Sequence, residues 1–470
     1  MSPWNSSGPD CRRVLALADD LSGAAETAAA LGLHVRLVLN ATDAGGRGDR
    51  AGGVARGRLR ARAPLGGPPD ADDGPPVVVA DLDSRRLPSA EAAGAVRAAL
   101  ARTGPGTLLF KKADSLLRGN LAAETVAYAA GAHAVVVAFA LPAGGRTVRD
   151  GVVRLGGVPL HRTDAWRAEG RPAPPSVTEA LRGLVTEVVP LDCVRRGPTA
   201  LTDRLRDVAA RGLHPVCDAE TDADLDTVAE AVLLLGPGYR PLGTGGLAAA
   251  LWRRAAARPH HPLARTGPMR HPADPADGEA VLAGHAPADP AAAHGRSGTH
   301  GPSEAAGTAA RRPVLAVVGT AEPIAAAQIA QLTAAGARHV AVSPDLLRTA
   351  AEGRAPDVPL APGHVTVLGV DGSGGLGSGA SADVAAGLGR LVAALRTPAD
   401  LVLTGGETAR RVLDALAVRE LVPLREIHHG AVHSRTLDGR SVVIRPGSFG
   451  GPGSLLAIAR ALGAELSPYR

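Results

Sequence analysis

Short apolar stretches alternate with amphipathic stretches along most of the chain, and turn residues separate them. Near the start, Val14 to Ala18 predicts a strand, Ala24 to Leu31 a helix, and Val35 to Leu39 a second strand. Alternation of this kind is typical of βαβ units, in which helices connect parallel strands. The pattern therefore predicts an α/β fold built on a mainly parallel sheet.

The alternation continues to residue 256 after one interruption. Residues 41–76 are rich in Gly, Arg, Pro and Asp and have no apolar period, which indicates a mobile surface insertion. The strands predicted after it are Val77 to Ala80, Thr107 to Phe110, Ala134 to Phe139 and Val188 to Leu191. The helices predicted after it are Ala90 to Ala101, Leu121 to Ala130, and one that follows a Gly-Thr-Gly-Gly turn within Pro241 to Ala256.

A change in composition marks a domain boundary. Residues 257–312 are rich in Pro, His, Gly, Ala and Asp without a sustained apolar period, as in a linker. A second alternation follows, with strands Val314 to Val318, His339 to Val342, Val365 to Val370 and Leu401 to Leu403, and helices Ile324 to Ala335 and Ala382 to Leu395. We expect two α/β domains, at 11–256 and 313–470, each a mainly parallel sheet flanked by helices, joined by this low-complexity linker.

Composition excludes several classes of function. The three cysteines among 470 residues form neither a disulfide framework nor a paired metal site, so we expect a reducing, cytoplasmic location. Three each of Phe, Tyr and Trp, with a net charge of only +5, give little basis for nucleic-acid binding. No apolar run approaches the roughly 20 residues that span a membrane. The oligomeric state is left open, with a homodimer as one arrangement.

The only two lysines, Lys111 and Lys112, are adjacent in a chain that otherwise uses arginine. They open a segment that also holds Asp114, Ser115, Arg118 and Asn120. Cationic groups suit the carboxylate of a small polyhydroxylated anion, while Asp and Asn side chains suit its hydroxyls. Asp114 is also a candidate general base toward a hydroxyl nucleophile. The alternative interpretation is a charged surface loop.

Further polar groups follow other predicted strands. Asp19 and Asp20 lie between the first strand and a helix, where one acid is suited to orient a substrate hydroxyl and the other to cap the helix. Simple capping by Asp20 or Ser22 is the alternative. Arg85 and Arg146 follow later strands and are predicted to reach the same sheet edge, although surface solubility is the default for each.

Small-residue turns recur in the second half. One of them joins the end of a strand, a glycine pair and the start of a helix, and consists of Thr404, Gly405, Gly406, Glu407 and Thr408. Two similar turns of small residues are Gly319-Thr320 and the segment Arg445 to Gly451. Glycine lets backbone amides approach phosphate, and a helix N-terminus adds a favourable dipole. Together the three turns predict a nucleotide cradle, although each alone is also typical of an ordinary strand-to-helix turn.

Other motifs give weaker or negative signals. Neither lysine follows a glycine, so there is no P-loop, and the zinc motif H-E-x-x-H and the nucleophile elbow G-x-S-x-G are also missing from the sequence. Gly372 to Gly377 matches G-x-G-x-x-G but lies in a Gly/Ser-rich run, which favours a flexible loop. Because of this match, a nicotinamide-dependent dehydrogenase stays as a minor alternative for the function.

These motifs, in this order, resemble the four-carbon acid sugar kinase family. The resemblance rests on Asp19-Asp20, the segment Lys111 to Asn120, Gly145-Arg146-Thr147 and Gly243 to Leu247 in the first half. In the second half it rests on Gly319-Thr320, Gly405 to Thr408, Glu426-Ile427 and Gly447 to Gly451. The chain departs from the family pattern at Thr320, Arg445 and His429, where serine, lysine and proline are usual.

The resemblance implies an enzyme that uses ATP and magnesium to phosphorylate threonate, erythronate or a 3-oxo-tetronate. It implies that Asp114 or Asp19 is the base, and that no residue acts as a dedicated metal ligand. The sugar acid is expected to contact Asp20, Arg85, Lys112, Ser115, Arg118, Asn120 and Arg146. The nucleotide is expected to contact Thr320, Thr404, Gly405, Gly406, Glu407, Thr408 and Gly447. A sensor that binds these ligands without catalysis is the alternative.

Overall fold

A computed structural model describes residues 13–32, 35–39, 77–104, 106–258, 311–320, 323–349, 358–371, 380–447, 450–464 and 466. The predicted insertion at 41–76, most of the predicted linker at 257–312 and the glycine-rich run Gly372 to Gly377 lie outside these residues.

The first half alternates strands and helices. Its strands are β1 (Arg13–Ala18), β2 (Arg36–Leu39), β3 (Val77–Asp81), β4 (Thr107–Lys112), β5 (Ala134–Ala138), β6 (Arg146–Arg149), β7 (Val152–Leu155), β8 (Val158–Pro159), β9 (Thr186–Val189), β10 (His214–Cys217) and β11 (Tyr239–Gly243). Its helices are α1 (Leu21–Ala30), α2 (Ser89–Leu100), α3 (Leu121–Ala129), α4 (Val177–Ala180), α5 (Leu191–Val194), α6 (Pro198–Ala210), α7 (Asp222–Leu235) and α8 (Gly245–Ala256).

The second half repeats this alternation and adds two antiparallel connections. Its strands are β12 (Val314–Val318), β13 (Arg338–Val342), β14 (Val365–Val370), β15 (Asp400–Thr404), β16 (Glu420–His428), β17 (Ala431–Thr436) and β18 (Ser441–Arg445). Its helices are α9 (Pro323–Ala334), α10 (Pro344–Thr349), α11 (Ala380–Ala394), α12 (Gly406–Ala415) and α13 (Ser454–Ala461).

Most described strands belong to one continuous sheet. Its order is β13-β14-β12-β15-β18-β17-β16-β2-β3-β1-β4-β11-β5-β10-β9. The two halves join where β2 pairs antiparallel with β16, with Leu37 opposite Leu421. This pairing satisfies backbone groups that would otherwise form exposed sheet edges. The sheets expected for the two domains are therefore joined edge to edge.

Two local predictions need correction. The strand expected to end at Phe110 extends to Lys112, because carboxylates pair with both lysines, Lys111 with the buried Glu124 and Lys112 with the half-buried Glu26, and let them lie inside the sheet. The strand expected to reach Leu191 ends at Val189, since Leu191 already begins α5. The hairpins of β16 to β18 were also not predicted, because β16 mixes Pro and charged residues with its apolar ones.

The buried strands carry continuous apolar runs, as expected for a parallel sheet covered on both faces. Every residue of β5, with sequence AVVVA, is buried, and so is every residue of β12. One buried apolar cluster extends across both halves, with Leu37 of β2 in the same cluster as Val412 and Leu413 of α12. The shared core fixes the halves against each other and brings their carboxyl strand ends to one cleft.

Candidate functional site

Three neighbouring strands of the first half deliver polar side chains to one edge of the sheet. β1 lies between β3 and β4, and its last residue, Ala18, is opposite both Asp81 and Lys112. The loops after these strands therefore start at the same level. As a result, Asp19, Arg85 and Asp114 come together although they are far apart in the sequence.

Arg85 lies at the centre of this cluster. Its Nε is 2.7 Å from Asp19 Oδ2, and its Nη1 is 2.9 Å from Asp20 Oδ2. Asp20 is also the N-cap of α1, where its Oδ1 accepts a hydrogen bond from the Gly23 backbone amide at 2.9 Å. Both neighbouring acids thus hold the same guanidinium, and only Asp20 caps the helix.

The environment shifts the pKa values of the two acids in opposite directions. Burial raises the pKa of Asp19, but the Arg85 and Lys111 charges lower it by more, so the net shift is downward. Burial raises the pKa of Asp20 by more than Arg85 lowers it, and the charge of Asp19 raises it further. Opposed shifts in adjacent acids are common where catalytic groups are assigned different roles.

Asp114 organises the loop after β4. It accepts hydrogen bonds from the backbone amides of Leu116 and Arg118, both at 3.2 Å, as well as from the Arg118 side chain. Leu117, between them, has a φ of 60°. A left-handed leucine is strained, and such strain is found mainly where the surrounding structure holds a functional loop in place. Arg85 Nη2 lies 3.8 Å from Asp114 Oδ1, which joins this loop to the Arg85 cluster.

The two lysines have different partners. Lys111 is buried, with its Nζ 2.8 Å from Glu124 Oε2, and Glu124 also accepts a hydrogen bond from Ser84. Lys112 faces the cluster, with its Nζ 3.0 Å from Glu26 Oε2. Lys111 is therefore part of the structural support, while Lys112 lies among the candidate substrate contacts.

The remaining residues expected to contact the sugar acid include Asn120, Arg146 and Ser115. The Asn120 amide donates to the backbone carbonyls of Leu87 at 2.7 Å and Ser84 at 2.9 Å, so it holds the loop that carries Arg85. Arg146, at the start of β6, donates a hydrogen bond to the Ser115 hydroxyl. Asn120 thus positions Arg85, whereas Arg146 is bound to Ser115, next to Asp114 in the chain.

The small-residue turns of the second half also converge. Ideal Cβ atoms placed on the glycines show how closely the backbones approach. A Cβ on Gly447 would lie 3.9 Å from the Gly405 Cα and 4.0 Å from Thr320 Cγ2. Gly405 has a φ of +91°, and its amide donates to the Arg445 carbonyl at 2.8 Å. The three turns therefore form one concave surface at the N-terminus of α12.

A pocket of about 420 Å³ joins the two sets of residues. From the first half, Asp20, Asp83 and Arg85 to Leu87 line it. From the second half, it is lined by Gly319, Thr320, Ala382, Thr404, Gly405, Gly406, Glu407, Thr408, Arg411 and Gly447. All seven predicted nucleotide contacts line this one cleft.

Two buried hydroxyls at this cleft have no hydrogen-bond partner among the described residues. They belong to Thr404, which lines the pocket, and to Ser22. A Cβ added to Gly406 would lie 2.7 Å from Ser22 Oγ and 2.9 Å from Asp20 Oδ2. Buried hydroxyls without partners are costly, and a bound polar ligand is one way to satisfy them.

Comparisons with known proteins find two family models that match separate parts of the chain. A family model described as a sugar-binding N-terminal domain matches residues 14–251, and one described as a nucleotide-binding C-terminal domain matches residues 368–455. The chain is 30% identical to a D-threonate kinase of Cupriavidus necator over 97% of this chain and 99% of that protein. The chain belongs to the four-carbon acid sugar kinase family.

Further members of the four-carbon acid sugar kinase family show the range of names within it. A D-threonate kinase of Bordetella bronchiseptica is 31% identical over 90% of this chain and 96% of its own length. A 3-oxo-tetronate kinase of Cupriavidus necator is 28% identical over 90% and 96%. A crystal structure from Salmonella typhimurium, 19% identical, shares the fold with a TM-score of 0.67 over 96% of this chain and 99% of that chain.

Several residues of the site in this four-carbon acid sugar kinase family member were not predicted from the sequence. Glu26, which holds Lys112, is the only charged residue of α1, and that isolation was a usable signal. Asp81 and Arg410 form a buried ion pair between the halves. Neither residue could be recognised from the sequence. Asp81 resembles an ordinary polar residue at the end of a strand, and Arg410 is one of many arginines in this chain.

No helix in the described part of the chain is both long enough and apolar enough to cross a membrane.

Proposed function

We propose that the chain is an ATP-dependent kinase that phosphorylates the terminal 4-hydroxyl of a four-carbon sugar acid such as threonate, erythronate or 3-oxo-tetronate. The observation that carries this proposal is the shared cleft, in which Asp20 and Arg85 of one half face Thr320 and the Gly405 to Thr408 turn of the other. Phosphoryl transfer needs a donor and an acceptor hydroxyl held in line, and a cleft between two binding surfaces provides this.

The nucleotide phosphates are assigned to the concave surface of the second half. The Gly406 backbone amide, the N-terminus of α12 and the hydroxyls of Thr320 and Thr408 supply donors there. Helix N-termini combined with glycine turns bind phosphate through amide hydrogen bonds and a favourable dipole. The Thr404 hydroxyl, buried at this position without a partner among the described residues, gains one when phosphate binds.

The sugar acid is assigned to the cluster beside Asp114. Arg85 and Arg118 each bind a carboxylate of the protein through two nitrogens. Lys112 contacts a single oxygen of Glu26, and Arg146 donates to the Ser115 hydroxyl, so we assign the carboxylate of the substrate to these two cations. Burial lowers the pKa of Arg146 by more than the charges of Asp114 and Glu26 raise it. A bound anion stabilises such a buried guanidinium, and Asp19, Asp114 and Ser115 remain to contact substrate hydroxyls.

Asp114 is our candidate for the group that accepts the proton of the attacking hydroxyl, with Asp19 as the alternative. The pKa of each carboxyl is lowered, so both are ionised at neutral pH. A weakly basic carboxylate fits this role in phosphoryl transfer, because catalysis depends mainly on positioning and charge neutralisation.

Magnesium fits this site as a partner of the nucleotide. No group of three or more His, Cys, Asp or Glu side chains with metal-binding geometry occurs among the described residues. Mg²⁺ typically keeps several waters and binds one or two carboxylates together with substrate phosphates. The carboxylates that line the cleft are those of Asp20, Asp83 and Glu407. When bound, the ion neutralises charge on the transferring phosphate.

Coupled measurement of ADP release tests the proposal. The assay contains ATP, Mg²⁺ and, in separate reactions, D- and L-threonate, D- and L-erythronate, and 3-oxo acids made in situ by a dehydrogenase. We expect ADP release with at least one of these acids, and no oxidation or reduction of nicotinamide cofactors. Folded protein that binds ATP but releases no ADP with any acid would refute the proposal and favour the sensor alternative.

The family assignment also bears on the remaining alternative and on location. Membership in a kinase family favours phosphoryl transfer over the nicotinamide-dependent reaction, whose motif at Gly372 lies outside the described residues.

Among the described cysteines, Cys193 and Cys217 are free thiols. Free thiols, together with the use of ATP, support our assignment of the reaction to the cytoplasm.

A further inference from the structure

Ion pairs connect one short segment of each half. Arg410 is paired with Asp81 with both side chains buried, Arg411 Nη1 is 3.2 Å from Asp83 Oδ2, and Arg86 Nη1 is 2.7 Å from Glu407 Oε2. We call these the inter-half ion pairs. They join residues 81–86, which follow β3, to residues 407–411 of α12.

Asp81 has two structural roles. One carboxylate oxygen accepts a hydrogen bond from the Arg410 guanidinium, and the other accepts from the Asp83 backbone amide at 3.0 Å. Asp83 has a φ of 49°, so the chain turns sharply here, directly before Arg85. The same carboxylate therefore shapes the loop that carries Arg85 and holds the helix that carries the predicted phosphate turn.

Arg410 is also held by more than one contact. It is 1% exposed, and its Nε also lies 3.0 Å from Asp414 Oδ2 within α12. Side chains that are both buried and charged are costly unless paired, so the pair resists separation. A shift of the N-terminus of α12 would therefore be passed on to the turn at Asp83.

The displacement can reach the sugar-acid cluster by contacts already present. Arg85 holds Asp19 and Asp20, and the Asn120 amide holds the carbonyls on either side of Arg85. Asn120 ends the loop that begins at Asp114. An unbroken series of buried or partly buried polar contacts thus runs from α12 to Asp114.

We propose that Asp81 and Arg410 are positioning residues that couple nucleotide binding to sugar-acid binding. The proposal rests on the proposed function for the identity of the second ligand. Because coupling between two sites is reciprocal, each ligand raises the affinity for the other by the same factor, typically about 5-fold to 150-fold.

The test compares wild type with Asp81→Asn/Arg410→Met. Removing both partners avoids leaving one unpaired buried charge, which would unfold a single variant. The dissociation constant of a non-hydrolysable ATP analogue is measured with and without the tetronate that gives the highest turnover. We expect the acid to tighten nucleotide binding at least about 5-fold in wild type and less than about 2-fold in the double variant. Without the acid, the affinity for the nucleotide should differ by less than about 2-fold between wild type and the double variant. The single variant Arg410→Lys, which keeps a positive charge at this position, should show part of the wild-type coupling.

A second measurement needs no sugar acid. Hydrogen exchange of backbone amides 115–120, which do not line the nucleotide pocket, is followed as ADP is added. ADP should slow this exchange in wild type and leave it unchanged in the double variant. Asp414→Asn is the matched control, since it removes an ion pair of Arg410 within α12 and keeps the one between halves.

The outcomes separate the two proposals. Equal coupling and equal protection of residues 115–120 in wild type and the double variant would overturn the positioning role, as would loss of both effects in Asp414→Asn. If no tetronate supports ADP release, the proposed function fails, and the response of residues 115–120 to ADP still decides whether Asp81 and Arg410 transmit nucleotide binding.

Discussion

The guanidinium of Arg118 binds both carboxylate oxygens of Asp114, with Nε 2.8 Å from Oδ2 and Nη2 2.8 Å from Oδ1. Burial raises the pKa of Asp114, but the hydrogen bonds from Arg118 and the charges of Arg85 and Arg118 lower it by more. Bidentate pairs of this kind fix orientation as well as charge. Asp114 is therefore held ionised, in one orientation, beside the proposed site of the reacting hydroxyl.

Replacement of Asp114 by Asn tests its proposed role as the base. Asn keeps the shape of the side chain but cannot accept a proton, so kcat should fall by about 10²-fold to 10⁴-fold. Thermal unfolding should still show one cooperative transition. Asp19→Asn, measured alongside, identifies the base: a larger loss of kcat there, with near-normal turnover in Asp114→Asn, would assign the role to Asp19.

The pH profile follows from the same pair of residues. The pKa of Asp114 and that of Asp19 are both lowered, so neither carboxylate takes up a proton on mild acidification. The wild-type kcat should therefore show no acid limb down to about pH 5, provided the coupling enzymes are in excess. An acid limb within this range would instead indicate a group with a raised pKa, for which the candidates are Asp20 and Asp81, whose pKa burial raises to about 7.

Arg146 should determine affinity for the acid and not for the nucleotide. Arg146→Met removes the charge-assisted hydrogen bonds assigned to the substrate carboxylate, which are worth about 2 to 3 kcal/mol. We expect the KM for the sugar acid to rise about 30-fold to 150-fold while the KM for ATP stays within about 2-fold. Arg149→Met, on the same strand but more than half exposed, is the matched control. An equal rise in both KM values would refute the assignment.

Much of the fold was predictable because burial leaves a regular signal. The strands Val314 to Val318 and Val365 to Val370 were predicted with the observed bounds, since they are continuous apolar runs between turns. Extension of β4 over Lys111 and Lys112 was not predictable from the same signal. Charged residues normally end a buried strand, and here Glu124 and Glu26 make the exception possible.

The site was predictable as a set of motifs but not as a set of contacts. Strand-end position brings Asp19, Arg85 and Asp114 to one edge, which the alternation of elements implies. The pairing of Arg118 with Asp114, and of Arg85 with Asp19 and Asp20, depends on side-chain geometry that spacing does not encode. The same holds for Asp81 and Arg410, which lie 329 positions apart in the sequence.

Gly405 should be required by its conformation more than by its small size. Its φ of +91° is strained for any other residue, yet an added Cβ would meet only Thr408 Oγ1, at 3.9 Å. Gly405→Ala should cost about 1 to 2 kcal/mol of stability and shift the amides assigned to phosphate, raising the KM for ATP about 10-fold. Gly439, with a φ of +81° and open space around it, lies in the turn between β17 and β18. Gly439→Ala should lose similar stability without any change in KM, so an unchanged KM in both variants would contradict the phosphate assignment.

His433 should make the fold sensitive to acid. It is 8% exposed on β17, and neither ring nitrogen has a hydrogen-bond partner among the described residues. Burial lowers its pKa to about 4, and the charges of Arg425 and Arg435 contribute to the same shift. The folded protein therefore keeps the ring neutral at pH values where the unfolded chain, with a pKa of 6.5, already binds a proton.

The sign of the effect follows from this difference in proton binding. Stability from the neutral ring is fully present above pH 6.5 and is lost as the pH falls toward 4. The loss at the lower limit is about 3 kcal/mol. Urea unfolding at intervals from pH 8 to pH 4 should show this decline in wild type and a shallower one in His433→Leu, which carries no titrating group. Parallel curves for the two proteins would show that His433 contributes nothing to acid sensitivity, and a steeper decline in His433→Leu would reverse the predicted sign.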